Sequence, residues 1–285
     1  MKHIVVIPVY NDWRSLNKLI SKLNSVLIKD KKIRSEILII NDNSTKEVKI
    51  NLKNLKSIKK IKVIYLKKNL GSQKAIAIGL SYLKKIKENF FITVMDSDGE
   101  DDPLQVKKML KLAIKNPTRV VTSNRKQREE SIIIILLYKL HLILTYLFTQ
   151  KWISFGNFST FNKKNLNKLL SNNSSWYSHS SSVLKNCGIL RLYSKRKKRY
   201  YDKSKLGLLS LIEHSLRVNA VFYKNIFFSS LIYLSVIFIF FENNLRNLLI
   251  FGVILFNSLI LIIKFNHWIN NFSDISKFIK KIKLI

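Results

Sequence analysis

The segment FFITVMDSDGEDDP, residues 90–103, joins a short run of apolar residues to a dense group of acids. Five carboxylates fall within residues 96–102, although the chain carries 51 Lys and Arg against 17 Asp and Glu, a net charge of +34. Like charges at this density repel one another, so we expect positive groups to lie among them. Pro103 is a favourable first-turn residue for a helix. The segment therefore predicts a buried strand, an acidic loop and then a helix.

Other apolar runs of strand length surround this segment, at IVVIPV (4–9), EILII (36–40), KIKVIYL (60–66) and RVVTSNR (119–125). Segments with helical spacing lie between them, including one that Asp12 is placed to cap and one that opens at Gly71. Continuous apolar strands that alternate with helices predict an α/β fold with a mostly parallel sheet covered on both faces. Ligands bind beyond the carboxyl ends of such strands, where Asp42 and Asp96 fall.

Asp96 and Asp98 are the candidate ligands of a divalent metal. A strand that delivers Asp-Ser-Asp into a loop places two carboxylates near one point. Mg²⁺ prefers such oxygen ligands and often completes its shell with water and substrate phosphates. Asp101 and Asp102, in contrast, are expected only to cap the following helix, whose N-terminus favours negative charge.

The C-terminal part has a different character. IFFSSLIYLSVIFIFF (226–241) and LLIFGVILFNSLILII (248–263) carry no charge and predict a transmembrane hairpin, with spans at about 225–242 and 245–265. A buried hairpin of a soluble protein is the alternative, but soluble helices normally keep a polar stripe. Basic segments flank the hairpin on both sides, which predicts an integral membrane protein with its α/β domain and both termini in the cytoplasm.

These features divide the chain into an α/β domain, residues 1–217, and a hairpin with a basic tail, residues 218–285. Residues 131–150 are apolar but interrupted by two polar side chains, which fits a helix in the membrane interface or a core helix about equally. Residues 195–217 form a basic juxtamembrane segment. The lone cysteine, Cys187, fits a reducing compartment.

Several motifs, taken in order, resemble those of a known family: VVIPVYND (5–12), IINDNST (39–45), NLGSQKAIAIGL (69–80) and VMDSDGEDDP (94–103). They are similar to the successive signatures of family 2 glycosyltransferases, which have the Rossmann-like GT-A fold. RKQREE (125–130), GNFSTF (156–161), RYYDKSK (199–205) and the hairpin resemble the polyprenyl-phosphate and dolichyl-phosphate sugar transferases within that family.

The resemblance implies roles for individual residues in binding a nucleotide sugar. The nucleotide-binding positions would be Pro8, Tyr10, Asp12, Asp42, Gly71, Lys74 and Asp96. Asp96, Asp98 and Glu100 would hold Mg²⁺ or Mn²⁺, with Glu100 where close relatives have Gln. The chain departs from the family at Asn41, where a second acid is common, and at Asp202, where Gly is usual.

The resemblance also implies which groups act in transfer. Asp98, Arg125 and Arg128 would be catalytic. The two arginines suit this role because a guanidinium group can donate two parallel hydrogen bonds to phosphate oxygens. Exposed, solvated side chains are the alternative for the two arginines. Acceptor or lid positions would be Gly156, Asn157, Phe158, Arg199, Ser204 and Lys205. Attraction of the basic stretch RYYDKSK (199–205) to anionic lipid explains its composition equally well.

Together these features predict a metal-dependent, inverting transfer of a sugar from a UDP- or GDP-linked donor to a polyprenyl phosphate at the cytoplasmic membrane face. The alternative keeps the donor chemistry but uses a lipid-linked or cell-surface glycan, whose hydroxyl would need a general base. Nucleic-acid binding is a distant third, because an acidic cluster at the functional edge would repel a phosphate backbone. An apolar hairpin also offers a surface for homo-oligomer formation.

Overall fold

The computed structural model describes residues 1–27, 33–51, 55–125, 132–201, 207–269 and 274–285. The strands are β1 Lys2–Val9, β2 Arg34–Asn41, β3 Ile58–Leu66, β4 Phe91–Val94, β5 Arg119–Arg125, β6 Phe155–Asn162, β7 Gly188–Ser194 and β8 Ile279–Leu284. The α-helices are α1 Trp13–Leu27, α2 Ser72–Lys84, α3 Leu104–Lys115, α4 Ile132–Thr149, α5 Lys163–Leu169, α6 His179–Asn186, α7 Leu208–Ala220, α8 Tyr223–Phe240 and α9 Asn243–Ile269. Short 3₁₀ helices cover Asn173–Trp176 and Ile275–Phe278.

The strands form one sheet in the order β7-β5-β6-β4-β1-β2-β3-β8. All neighbouring pairs are parallel except those made by β6 and β8, which run against their neighbours. The prediction of a mostly parallel α/β sheet is therefore confirmed. The carboxyl ends of β1, β2 and β4 meet at one edge, where backbone bonds from Asp42 N–H to the Val9 carbonyl and from Met95 N–H to the Val6 carbonyl extend the register.

Helices cover both faces of this sheet. α1 places Trp13, Leu16, Ile20 and Leu23 on one buried face at helical spacing, where they join a core that also includes side chains of α3 and the sheet. α2 covers the opposite face and approaches closely at Gly79, where an added Cβ would lie 2.8 Å from the Ile40 side chain. Burial on both faces explains why these strands are continuously apolar rather than alternating.

Two segments whose sequences are typical of loops form regular structure instead. Residues 156–161, which hold the predicted acceptor positions Gly156, Asn157 and Phe158, lie within β6, between β4 and β5. Residues 171–182, a run rich in Ser and Asn, contain a 3₁₀ helix and the start of α6, with Ser181 and Ser182 buried. The hydroxyl groups of residues 171–182 are typical of an exposed segment, but a hydrogen bond between the Ser174 and Ser182 hydroxyls, at 2.7 Å, allows both to be buried.

The C-terminal residues are also placed differently from the prediction. Residues 273–285 belong to the same compact unit as residues 1–128 and 155–204, rather than trailing from the hairpin as a basic tail. β8 pairs antiparallel with β3, with Ile64 opposite Ile282. Its lysines suit an edge strand, because charges there discourage pairing with another chain. The domain boundary predicted after residue 217 therefore needs correction at this end.

The second compact unit comprises residues 129–154 and 205–272, so it takes in α4 and most of the predicted juxtamembrane segment. α8 and α9 are long and apolar enough to cross a membrane. The Asn257 amide donates to the Ser230 hydroxyl at 2.7 Å and joins the two helices. α4 buries Leu142 and Phe148 but exposes other apolar side chains, namely Leu136, Leu140, Ile143 and Leu147.

A polar ladder crosses the centre of the sheet in the first unit. His3 lies 3.3 Å from the Ser35 hydroxyl through Nδ1 and 2.9 Å from the Thr93 hydroxyl through Nε2. Thr93 in turn lies 2.9 Å from the Thr160 hydroxyl. The ladder ties β2, β1, β4 and β6 together. His3 belongs to no motif of the sequence, yet it is a fully buried structural residue.

The buried histidines predict a stability that falls in mild acid. Burial lowers the pKa of His3 and of His179 to about 4, from an ordinary value of 6.5. Below pH 6.5 both histidines are protonated in the unfolded chain, whereas in the folded chain they stay neutral down to about pH 4. Each histidine should therefore lower the free energy of unfolding by about 1.4 kcal/mol per pH unit in that window.

Thermal unfolding of the detergent-purified chain between pH 7.5 and 5 measures this effect. We expect the midpoint to fall below pH 6.5, and His3→Gln to remove about half of the slope. His214 is exposed on α7, so His214→Gln is the matched control and should leave the slope intact. A slope that is the same in the His3 and His214 variants would contradict the assignment.

Candidate active site

The candidate site lies where β1, β2 and β4 end. Asp12 follows β1, Asp42 follows β2 and Asp96 follows β4, so three strand ends deliver a carboxylate to the same edge. Pro8 is buried within β1, opposite Ile40, and supports the edge from below. Tyr10 is exposed there. The positions of Asp42 and Asp96 agree with the sequence prediction, and Pro8 lies in the predicted first strand.

The acidic loop after β4 is tightly folded on itself. The Asp101 carboxylate accepts a hydrogen bond from the Asp96 backbone N–H at 3.0 Å, so it braces the loop rather than capping α3. Asp98 accepts from the Glu100 N–H at 2.9 Å through Oδ1. Gly99 has φ +87°, a backbone conformation that favours glycine. Asp102 caps α3 as predicted, since it accepts from the Leu104 N–H at 3.1 Å.

A basic segment, residues 195–201, lies across this loop. Two backbone bonds hold it there, from the Lys197 N–H to the Glu100 carbonyl and from the Tyr200 N–H to the Asp98 carbonyl, both at 2.9 Å. The Arg199 guanidinium lies 3.0 Å from Asp98 Oδ2 and 3.6 Å from Asp12 Oδ2. It therefore bridges carboxylates from two different strand ends. This guanidinium is one of the positive groups that the dense acidic loop required.

Arg196 and Lys197 complete the neutralisation of the acidic loop. Arg196 pairs directly with the Glu100 carboxylate, and Lys197 lies 3.7 Å from that of Asp102. Glu100, which the family resemblance implies as a third metal ligand, pairs with a guanidinium in this structure. The sequence did not distinguish Arg196 from its neighbours, because the run KRKKR gives every member the same local signal.

Two tyrosines fasten the basic segment to α1. The Arg14 guanidinium lies 3.8 Å above the Tyr201 ring, and the Lys22 ammonium lies 4.6 Å from the Tyr200 ring, within the range of cation–π attraction. A Cβ on Gly99 would lie 2.4 Å from the Tyr200 ring, so only glycine fits beneath it. Burial, with the nearby charges of Asp102 and Asp98, raises the pKa of Tyr200 to about 12.

Asp42 organises the loop that precedes α2. Its two carboxylate oxygens accept from the backbone N–H groups of Leu70 and Gly71, at 2.7 and 2.8 Å. Gly71 has φ 84° and ψ 157°, a region that only glycine occupies comfortably. Burial raises the pKa of Asp42, while these hydrogen bonds and the charge of Lys74 oppose that rise. Asp42 thus has a structural contact that the sequence did not indicate, and Lys74 lies near it.

The two loops after β1 and β2 are knitted together by asparagines. Asn11, with φ 57°, donates to the Ser44 hydroxyl through its backbone and to Thr45 through its side chain, both at 3.0 Å. Asn41, which replaces an acid common in the family, accepts from the Ser44 N–H at 2.8 Å. An amide performs this local role as well as an acid would, so the departure is compatible with an intact loop.

The predicted acceptor residues divide into different environments. Asn157 donates through Nδ2 to Asp96 Oδ1 at 3.0 Å, which places it beside the acidic loop after β4. Phe158 is buried in the hydrophobic core and is corrected from acceptor contact to core residue. Gly156 is half-buried in β6 between the two regions. The alternation of a β-strand explains why Asn157 and Phe158 point to opposite faces.

The remaining predicted residues are only partly placed. The backbone of Arg125 ends β5 opposite Ser194, next to the basic segment. Arg128, Ser204 and Lys205 lie outside the described residues, as does Asp202. Within the described ranges no group of three or more His, Cys, Asp or Glu side chains is arranged to hold a metal.

Clustered carboxylates and cationic side chains thus lie together at the ligand-binding edge of an α/β sheet. The family model of "Glycosyl transferase family 2" matches residues 4–181, more than half of the chain and all of this site's strand ends. The chain belongs to glycosyl transferase family 2. The predicted family is thereby confirmed, and the acidic loop is the part of the family domain that follows β4.

Two curated relatives share part of the sequence. A dolichol-phosphate mannosyltransferase of Pyrococcus furiosus is 30% identical over 125 residues, which are 44% of this chain and 33% of the relative. An uncharacterized glycosyltransferase of Synechocystis sp. is 32% identical over 100 residues, 35% of this chain and 30% of the relative. The chain thus spans about a third of the length of each curated relative.

Two solved structures share the fold of this chain. Glucosyl-3-phosphoglycerate synthase of Mycobacterium tuberculosis, in complex with Mn²⁺, UDP-glucose and phosphoglyceric acid, superposes with a TM-score of 0.53 at 15% identity, covering 79% of both chains. TarS 1–349 of Staphylococcus aureus, in complex with UDP-GlcNAc, gives 0.51 at 17% identity, covering 81% of this chain and 70% of that one. The predicted GT-A fold is confirmed.

Proposed function

We propose that this family 2 member transfers a sugar, with inversion, from a nucleotide diphosphate donor to a polyprenyl phosphate at the cytoplasmic face of a membrane. The observation that carries the proposal is the bridge from Arg199 to Asp98 and Asp12, at 3.0 and 3.6 Å. Carboxylates from two strand ends hold a cationic group at the ligand-binding edge. Such a site has the charge needed for a metal-bound diphosphate.

The carboxylates fit a divalent metal, Mg²⁺ or Mn²⁺, in their chemistry and placement. Asp96 and Asp98 supply hard oxygen ligands of the kind these ions prefer. The Arg199 guanidinium already places a positive charge against Oδ2 of Asp98, where a metal ion would also bind. Mn²⁺ and Mg²⁺ are present in solved structures of glucosyl-3-phosphoglycerate synthase. When bound, the ion would neutralise the charge that develops on the leaving diphosphate.

The protein's own residues bind and orient the donor around that point. Asp42 holds the loop at Gly71, which follows β3 and therefore lies at the same edge of the sheet as Asp12. Asn157 fixes one oxygen of Asp96. Arg199, on a segment that crosses the loop, is within reach of both acids and can exchange them for diphosphate oxygens.

A lipid phosphate is the acceptor that the chain supports best. A phosphate is already anionic at neutral pH, so it needs little help from a general base. The exposed apolar faces of α4, α8 and α9 offer a surface for a lipid, and one curated relative carries the name dolichol-phosphate mannosyltransferase. We assign Arg125, Arg128, Ser204 and Lys205 to contacts with donor or acceptor phosphates, as the family resemblance implies.

We further propose that α8 and α9 cross the membrane as a hairpin, with α4 lying in its interface. Their length and apolar surfaces support this placement. The position of β8 supports the orientation, because the chain leaves the sheet unit before α7 and returns to it after α9. Two crossings bring both termini to the side of the sheet, and the basic flanks favour the cytoplasm.

A transfer assay on membranes that contain the full chain tests the function. Membranes are incubated with Mn²⁺ and radiolabelled UDP- and GDP-sugars, with and without added polyprenyl phosphate. We expect label to enter an organic-extractable, mild-acid-labile product that depends on the added lipid. Label in a product that stays with the glycan fraction would instead support the glycan acceptor, and no labelled product from any donor would refute the proposal.

A further inference from the structure

The orientation of Asp96 depends on a buried chain of hydrogen bonds that reaches back through three elements. Asn157, on β6, donates to Asp96 Oδ1 through Nδ2 at 3.0 Å. Gln73, on α2, donates through Nε2 to Asn157 Oδ1, also at 3.0 Å. The backbone N–H of His179, at the start of α6, donates to Gln73 Oε1 at 2.7 Å. Gln73 is 5% exposed, so it contacts this chain rather than solvent.

The bond from the His179 backbone N–H to Gln73 fixes the donor and acceptor of every other hydrogen bond in this series. A backbone N–H can only donate, so the Gln73 atom that faces His179 must be the carbonyl oxygen. The Gln73 amide nitrogen therefore faces Asn157, which must present its own oxygen in reply. The Asn157 nitrogen is then turned toward Asp96, where it donates to the carboxylate. Neither amide can flip without opposing two like groups.

The His179 ring secures the same asparagine from the other side. The Ser159 hydroxyl donates to the Asn157 carbonyl at 3.1 Å, so it accepts from His179 Nε2, which lies 2.8 Å away. His179 is fully buried, and its ring is tilted against Phe161 with centroids 6.2 Å apart. Asn157 is thus held through its side chain by Gln73 and through its backbone by Ser159.

We propose that Gln73 and His179 are positioning residues, which act through Asn157 to aim Asp96 at the metal-bound donor. The inference rests on the proposed donor-site role of Asp96. Neither residue touches the ligand, and their polarity rather than their volume is what the site requires. Groups that orient metal-binding carboxylates in this way commonly change metal affinity by about 10- to 100-fold when they are altered.

Gln73→Glu tests the polarity directly, because it keeps the shape of the side chain but replaces its only donor with an acceptor. Asn157 must then turn its nitrogen to Glu and its oxygen to Asp96, which repels the carboxylate. Binding of Mn²⁺ by the detergent-purified full chain is followed by the electron paramagnetic resonance of the free ion, with UDP and, in a second series, with GDP. We expect a dissociation constant about 10- to 100-fold higher than in the unaltered chain.

A double variant separates positioning from a general loss of structure. If Gln73 acts only through Asn157, then Gln73→Glu should add nothing to the loss caused by Asn157→Ala. Gln73→Met removes both hydrogen bonds without adding charge and replaces Gln73→Glu if that variant fails to fold. Partial misfolding would reduce the number of binding sites but leave the dissociation constant of the remaining sites unchanged.

Asn186→Asp is the matched control, an amide-to-acid change at the far end of α6. Its neighbours Ser174 and Ser182 are hydroxyls that can donate to the new acid, so Mn²⁺ affinity should be unchanged. Unaltered affinity in Gln73→Glu, or losses that multiply in the double variant, would overturn this inference and leave the proposed function standing. If the unaltered chain fails to bind Mn²⁺ both in the presence of UDP and in the presence of GDP, the proposed function and the inference are both overturned.

Discussion

Replacing Asp98 by Asn should reduce sugar transfer by about 10²- to 10³-fold, the scale seen when one electrostatic contact to developing charge is removed. Asp98 uses Oδ1 to accept the Glu100 N–H and Oδ2 to meet a cationic group. Asn can keep the first contact through its oxygen, and its nitrogen then faces the cation. The fold of the loop is preserved while its ability to bind positive charge is lost.

Initial rates of transfer in membranes, corrected for the amount of protein, measure this loss. Asp102→Asn is the matched control, since Asp102 lies in the same loop but caps α3, and Asn is an equally good cap. We expect the control to retain activity within about threefold, because the ion pair of Asp102 is long, at 3.7 Å, and its partner Lys197 is exposed, so the pair contributes little. Equal losses in both variants would mean that the net charge of the loop matters, rather than the position of Asp98.

Much of the fold follows from local sequence because its strands are buried on both faces. The continuous apolar runs that became β1 to β5 leave few alternatives to a parallel sheet between helices. β6 did not stand out in the sequence, because Ser159 and Thr160 are polar. Their hydroxyls find their partners, His179 and Thr93, only once the sheet is assembled. β8 lies about 80 residues beyond the preceding strand, and no local pattern encodes its pairing with β3.

The site was predictable to the same extent. The sequence predicted that Asp42 and Asp96 follow strand ends at one edge, as they do, because the carboxyl ends of parallel strands share one edge. Partners distant in the chain were not predictable: Gln73 meets His179 across 106 positions, and Arg196 meets Glu100 across 96. Such pairings depend on the assembled sheet. The repulsion within the acidic loop showed that cations were needed, but not which ones.

Replacing Arg199 by Gln should move metal binding and catalysis in opposite directions. The guanidinium lies 3.0 Å from the Asp98 oxygen that a metal would use, so it competes with the ion in the ligand-free chain. A partly exposed ion pair of this kind is worth about 1 kcal/mol, so its removal should tighten Mn²⁺ binding about fivefold. Transfer should nevertheless fall by about 10²-fold, because the same guanidinium is then missing from the leaving diphosphate.

Two measurements on the same preparations decide this, a Mn²⁺ titration without nucleotide and the initial rate of transfer. Lys198→Gln is the matched control, because it removes one positive charge from an exposed position next to Arg199. A change in both variants would reflect the net charge of the basic segment. Weaker Mn²⁺ binding in Arg199→Gln would show that Arg199 supports the metal site rather than competing for it. Tighter binding with slower transfer is the combination that neither a purely structural role nor simple charge attraction can produce.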